Sequence, residues 1–275
     1  MQSIAAGRAT RECRTVENVR STLPEPSIRH VDAGRGMQWW SDGWRLFAAS
    51  PGAWIAIVVV WLLINVALTQ AGWIGNIASM ILTPILAAGV LLGAHAQDHG
   101  EPLKFEQLFA GFGGSRFQPL LMLGLFNLAL TLVVAAIVAG AIVAVVGTAG
   151  LMQFFATDML DLASTDLTAI ALVVLALSPI LLIGFALIGM AFWFAPGLVA
   201  VNGIAPQAAL WLSFRANLTN IGAMLIYGML LIVFALLASI PLGLGWFVLG
   251  PMMAGSWYAT WRDVFGDAAE NRPSP

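Results

Sequence analysis

The sequence predicts an all-α integral membrane protein: six transmembrane helices in three in–out hairpins, with short interfacial helices on the cytoplasmic side. Three observations carry that reading. First, 60% of the 275 residues are hydrophobic and only 9% are charged, against about 25% charged in a soluble domain. Second, six apolar runs lie at about 53–71, 75–95, 119–146, 168–195, 220–238 and 241–261. Each matches the about 20 residues that cross a hydrocarbon layer of about 30 Å at about 1.5 Å per residue. Third, threading the runs in alternation puts all 12 Lys and Arg residues on one side. Arg8, Arg11, Arg14, Arg20, Arg29, Arg35 and Arg45 precede the first run, and Lys104 and Arg116 separate the second and third. Arg215 separates the fourth and fifth, and Arg262 and Arg272 follow the sixth. The opposite loops, near 70–74, 147–167 and 239–241, carry none. Basic residues mark the cytoplasmic side, so both termini are expected there.

Residues 1–36 hold no apolar core of signal-peptide type, and Glu12, Glu17, Glu25 and Asp32 argue against an organellar presequence. The expected domain layout is a disordered arm over 1–36, a six-helix membrane domain over 37–265 and a disordered tail over 266–275, with organised chain setting in near Ile28. Cys13 is the only cysteine, so no intrachain disulfide can form.

An amphipathic segment precedes each hairpin. Around 38–48, Trp40, Trp44 and Phe47 share an apolar face, with Asp42 and Arg45 off it. In 102–112, Pro102 suits a first helical turn, and Phe105, Leu108, Phe109 and Phe112 follow at i, i+3, i+4 and i+7. Around 206–218, Pro206 opens a helix with Leu210, Phe214 and Leu218 on one face and Arg215 away from it. Helices of this kind lie in the headgroup plane. Together they predict a cytoplasmic collar whose lipid or interface residues are Trp40, Trp44, Phe47, Phe105, Phe109, Phe112, Trp211 and Phe214. On the outer side, Leu151, Phe154, Phe155, Met159 and Leu162 against Gln153, Asp158 and Asp161 predict a short interfacial helix.

The first and last hairpins also match each other. A shift of 167 residues superposes Trp44 on Trp211, Phe47 on Phe214, Ala56 on Ala223, Val66 on Val233, Leu82 on Leu249 and Pro84 on Pro251, without a gap over some 44 residues. Both copies enter from the cytoplasm, so the duplication is parallel rather than inverted.

Chemistry is sparse. The cores of the apolar runs contain no Asp, Glu, Lys or Arg, which disfavours ion-coupled transport. Asn65 and Asn127 are their most polar residues, and each is expected to bond a neighbouring helix. His95 and His99 have zinc-ligand spacing, but Ala96 stands where a metalloprotease needs its Glu, and Gly100-Glu-Pro102 ends the helix at once. A solvated helix end is the simpler reading, with His95, Asp98 and His99 the only candidate for an enzymatic site. Gly89-x-x-x-Gly93 and the series Ala136, Gly140, Ala144 permit close helix approach, within the chain or between two copies. Pro84, Pro179 and Pro251 predict kinks. There is no phosphate-cradling loop and no nucleophile elbow.

Gly34-Arg-Gly36, Trp40, Gly43-Trp44-x-Leu46-Phe47 and Pro51-x-x-Trp54, followed by Asp98-x-Gly100-Glu101-Pro102, Phe105, Leu108-Phe109 and Gly111-Phe112, resemble a family of six-span inner-membrane proteins of Gram-negative bacteria. The resemblance runs from about 30 to 265 and implies the fold, the topology and the inner membrane, with no activity and no functional residues to carry over. Ala195-Pro196, Ala208-Ala209, Ser213 and Pro251 are distantly similar to the membrane domain attached to some glycerophosphodiester phosphodiesterases. The soluble catalytic domain of those proteins has no counterpart here. The expected role is therefore a non-enzymatic membrane component that organises lipid or partner helices, with passive passage of a lipid or small hydrophobic molecule as the alternative. Membrane lipids, a second copy or other membrane proteins are the expected partners. No nucleic acid, metal or cofactor is expected.

Overall fold

The computed structural model describes residues 26–156 and 167–266, and among these every regular element is helical. In chain order they are α1 (Arg35–Ala49), α2 (Pro51–Gln70), α3 (Gly72–Asp98), a 3₁₀ segment (Phe105–Phe112), α4 (Phe117–Ala156), α5 (Leu167–Trp193), α6 (Ala195–Ala200), α7 (Pro206–Thr219), α8 (Ile221–Ser239) and α9 (Trp246–Phe265). Pro51 and Pro206 open α2 and α7, where a missing N–H costs nothing. Gly100, at φ +85°, closes α3: its N–H bonds Gln97 O at 3.0 Å and the Glu101 N–H bonds Ala96 O at 3.0 Å. This is the paired C-terminal cap that glycine's left-handed conformation allows.

Five segments are long and apolar enough to cross a membrane: Pro51–Gln70, Gly72–Asp98, Gly114–Val143, Leu177–Ala200 and Ile221–Ser239. The sixth apolar run forms α9, which is 20 residues long but less apolar. It begins at Trp246 rather than 241 because the linker turns first, with Leu242 and Gly243 at φ +54° and +83°. Its small and polar residues, Gly255, Ser256 and Thr260, are buried against other helices. Such positions serve packing and do not need to be lipophilic.

The tight core lies at the end of the helices that carries α1 and the 3₁₀ segment. Trp54, Ile57, Ile85, Leu91, Leu108, Leu120, Phe194, Leu198, Tyr258, Trp261 and Phe265 are all fully buried there. The opposite ends of the long helices leave Leu62, Leu63, Trp73, Ile74, Leu236, Leu237 and Leu244 exposed. Apolar surface at membrane depth needs no burial in protein, because lipid tails solvate it as well as leucine does.

Three expectations are corrected. The arm assigned as disordered to residue 36 is fixed well before that point. Arg29 N–H bonds Val264 O at 2.8 Å, and Asn220 holds Val31 N–H at 2.8 Å and Arg29 O at 3.0 Å. The segment before α4 is a 3₁₀ helix rather than an α-helix. With three residues per turn, its Leu108–Gly111 row points inward while Phe109 and Phe112 point outward. The separate outer helix is not formed at its start: α4 continues unbroken through Leu151, Phe154 and Phe155 to Ala156. Met159, Leu162, Asp158, Asp161 and the C-terminal tail beyond 266 lie outside the described residues.

The internal repeat is present as element order, since α1–α2–α3 and α7–α8–α9 correspond and Pro84 and Pro251 lie inside α3 and α9. It does not extend to packing. Helix α1 lies on α8 and α9, whereas α7 lies on α5 and α6. Gly43 makes the first contact possible, because a Cβ there would overlap Met252 O on α9.

Candidate functional site

The collar residues separate into two groups. Trp44 is 50% exposed and Trp211 61% exposed, and Phe105, Phe109 and Phe112 also face outward. Trp211 stacks on the half-buried Phe214 at 6.1 Å. Exposed Arg215 stands one residue further on, and exposed Lys104 precedes Phe105; neither has an ion-pair partner among the described residues. Trp40 and Phe47, by contrast, are 2% and 6% exposed. The Trp40 ring stacks on Tyr227 at 4.8 Å, meets Phe234 edge-on and donates its indole N–H to Tyr227 O at 3.2 Å. The apolar face of α1 thus packs on protein, and only its Trp44 edge is left for lipid.

Beneath the collar is a charge lattice that periodicity does not reveal. Asp98, at the end of α3, accepts hydrogen bonds from Arg262 at 2.7 Å, Arg45 at 3.2 Å and the Tyr258 hydroxyl at 3.3 Å. Asp42 pairs with Arg262 at 3.3 Å and with Arg35 at 3.8 Å. Asp263 accepts the Trp39 indole N–H at 2.8 Å and pairs with Arg35. Three aspartates thus meet three arginines from α1, α3 and α9, and each charge has an opposite neighbour. Next to them the Trp54 indole donates to Leu46 O and to Gln97 Oε1, and Gln97 Nε2 returns to Leu46 O at 2.9 Å. The arrangement is a clamp on three helix ends. Most of its residues were visible in the sequence only as polar positions scattered over separate segments; nothing local indicated that they meet.

The histidine pair belongs to this lattice. The His95 and His99 rings lie tilted at 46° with centroids 4.3 Å apart, and the Tyr258 hydroxyl lies 3.4 Å from His95 Nδ1. His99 Nδ1 is 2.7 Å from His95 O. Among the described residues no group of three or more His, Cys, Asp and Glu is placed to hold a metal ion. His30 is elsewhere, 3.2 Å from Thr219 O.

Above the clamp, at membrane depth, a cleft of about 690 Å³ opens between α2, α3, α4, α5, α8 and α9. Trp61, Leu62, Ala87, Phe192, Met253 and Trp257 give it apolar walls, and none of the described residues lining it is charged. Besides tryptophan indoles, its polar side chains are Asn65, Thr83 and Asn127. Asn65 bridges helices as expected, accepting from Ser79 Oγ at 2.8 Å and donating to Trp61 O at 3.0 Å. Asn127 Nδ2 donates to Met80 O of α3 at 3.1 Å. The small-residue stripe is used within the chain: a Cβ at Gly89 would overlap Leu108 O, so the 3₁₀ segment sits directly on α3. At the floor of the cleft the α5–α6 break around Pro196 is satisfied by α7. Ser213 Oγ accepts the Phe194 N–H at 2.9 Å and donates to Met190 O at 2.7 Å, and Asn217 Nδ2 donates to the same carbonyl at 3.0 Å.

The chain is similar to a probable inner membrane protein of Burkholderia thailandensis, with 28% identity over 257 residues that cover 86% of this chain and 93% of that one. No family model matches the chain, and no solved structure matches it. With its membrane-length apolar helices, the chain is a multi-pass inner-membrane protein.

Proposed function

We propose that this protein is a non-enzymatic inner-membrane component that organises lipid at the cytoplasmic surface. The supporting observation is the row of outward Trp44, Phe105, Phe109, Phe112 and Trp211 with Lys104 and Arg215 beside them. Aromatic rings favour the headgroup level, and juxtamembrane cations attract anionic headgroups by about 1 kcal/mol each. In this reading α9 is the sixth span, the long helices form three in–out hairpins and both termini are cytoplasmic. Anionic lipid is the main partner; a second copy or another membrane protein is the competing occupant, and nucleic acid has no part. Replacing Trp44, Phe109 and Trp211 together by Ala tests it. The expected result is about a tenfold drop (three collar contacts at about 0.5 kcal/mol each) in anionic lipid retained on protein extracted into native nanodiscs, by mass spectrometry. An unchanged lipid complement with unchanged unfolding behaviour would sink the proposal.

The cleft favours a second reading, passive passage of a lipid or small hydrophobic molecule. Pro84 lines it, and Gly250, beside the matched Pro251, lines the opposite wall. Vesicles containing the protein should then exchange a fluorescent lipid between leaflets faster than empty ones. Equal rates would remove this reading.

A further inference from the structure

The cleft carries a chemical detail that goes beyond shape, and it deepens the second reading, on which it rests. Asn127 spends one N–H on Met80 O, and its carbonyl oxygen Oδ1 has no partner among the described residues. The Trp61 indole N–H, on the same cleft, also has none. Asn127 lies ten residues into α4, about 15 Å along the helix at about 1.5 Å per residue, near the middle of a layer about 30 Å thick. The hydrocarbon core supplies no water to an amide oxygen, so an unmatched acceptor at that depth is costly and seeks a donor. A bare acyl chain supplies no donor. A lipid with a charged headgroup would bring its charge to a wall that has no charged side chain, at a depth where an unpaired charge is strongly disfavoured.

From these constraints we infer that the cleft binds a neutral lipid bearing a free hydroxyl, whose O–H donates to Asn127 Oδ1 while its chains lie along Leu62, Ala87, Phe192 and Met253. The same hydroxyl, or an ester carbonyl near it, accepts from Trp61. Diacylglycerol has this chemistry, and a volume of about 690 Å³ falls within the roughly 300–1,000 Å³ of ligand clefts and takes a substantial part of such a molecule.

The test uses the full chain in nanodiscs of phosphatidylcholine and phosphatidylglycerol, with a diacylglycerol carrying a diazirine on one acyl chain. Irradiation and peptide mapping should place the label on cleft-lining segments of α2, α3, α5 and α9. Unlabelled diacylglycerol should compete about tenfold better than its 3-O-methyl ether, which keeps the shape and loses the donor. Asn127→Leu should bring the two competitors level while cleft labelling persists. Equal competition by alcohol and ether on the wild-type protein would overturn the inference, as would label found mainly outside the cleft. The competitor comparison needs no variant, so it decides the matter even if Asn127→Leu fails to fold. The leaflet-exchange assay fails separately: discrimination without exchange keeps the site and removes passage, whereas exchange without discrimination removes the site chemistry.

Discussion

At the scale of single residues, the most informative side chain is Asp98. It gathers Arg262, Arg45 and the Tyr258 hydroxyl at one carboxylate, and its side chain is only 12% exposed. Replacing it by Ala removes the carboxylate that Arg45, Arg262 and the Tyr258 hydroxyl share, with Asp42 still beside Arg262. Hydrogen bonds to charged groups contribute about 1.5–3 kcal/mol each, and exposed Arg45 counts for less. Asp98→Ala should therefore destabilise by about 2–3 kcal/mol, read from unfolding in mixed micelles, whereas Glu106→Ala on the exposed side of the 3₁₀ segment should leave stability within about 0.5 kcal/mol. Equal effects would show that the clamp does not hold the helix ends. Asp98 stood in the sequence as part of the candidate enzymatic group His95, Asp98 and His99 and of a family-like motif. Its partners lie 53 and 164 residues away, and no local spacing rule connects positions so far apart.

At the scale of elements, the close contacts of glycine and the capping of breaks decide how helices meet. Gly89 lets the 3₁₀ segment lie on α3, because any Cβ there would overlap Leu108 O. Gly89→Val should displace that segment, cost about 1–3 kcal/mol and raise protease cleavage within 101–116, while Gly52→Val, where a Cβ meets open space, should do neither. Unchanged cleavage at Gly89→Val would mean that the seating is loose. The spacing Gly89-x-x-x-Gly93 permitted a close approach to α3, within the chain or between two copies, and the structure fills it with the chain's own 3₁₀ segment. Ser213 had only a diffuse motif to mark it. Its task is to replace the backbone partners lost at the Pro196 break, and that task exists only once α7 lies across α5.

At the scale of the whole molecule, packing is dense at the end that carries α1 and the 3₁₀ segment and sparse at the other. The proposed topology can be checked at the α8–α9 turn, where Leu242 is 97% exposed. With both termini cytoplasmic, a Leu242→Cys variant in intact spheroplasts should react with a membrane-impermeant maleimide, while native Cys13 should react only after lysis. Labelling of Cys13 in intact spheroplasts, or protection of position 242, would contradict the six-span reading.

The sequence by itself determined class and approximate helix positions, because hydropathy over about 20 residues is a local quantity that the bilayer acts on directly; the placement of Lys and Arg carries the proposed sidedness. It also marked Gly89 and the two intramembrane asparagines as positions with a task. Tertiary structure decided which aromatic residues stay at the surface. Trp40 and Trp44 are both aromatic positions of one helix, yet one is buried against Tyr227 and the other lies at the surface. Inside a bilayer, polarity no longer separates a protein-facing from a lipid-facing apolar side chain, because the two environments are equally apolar. That choice, like the meeting of Asp98 with Arg262 and the closing of a cleft around Asn127, depends on contacts between segments far apart in the chain, which no periodicity records.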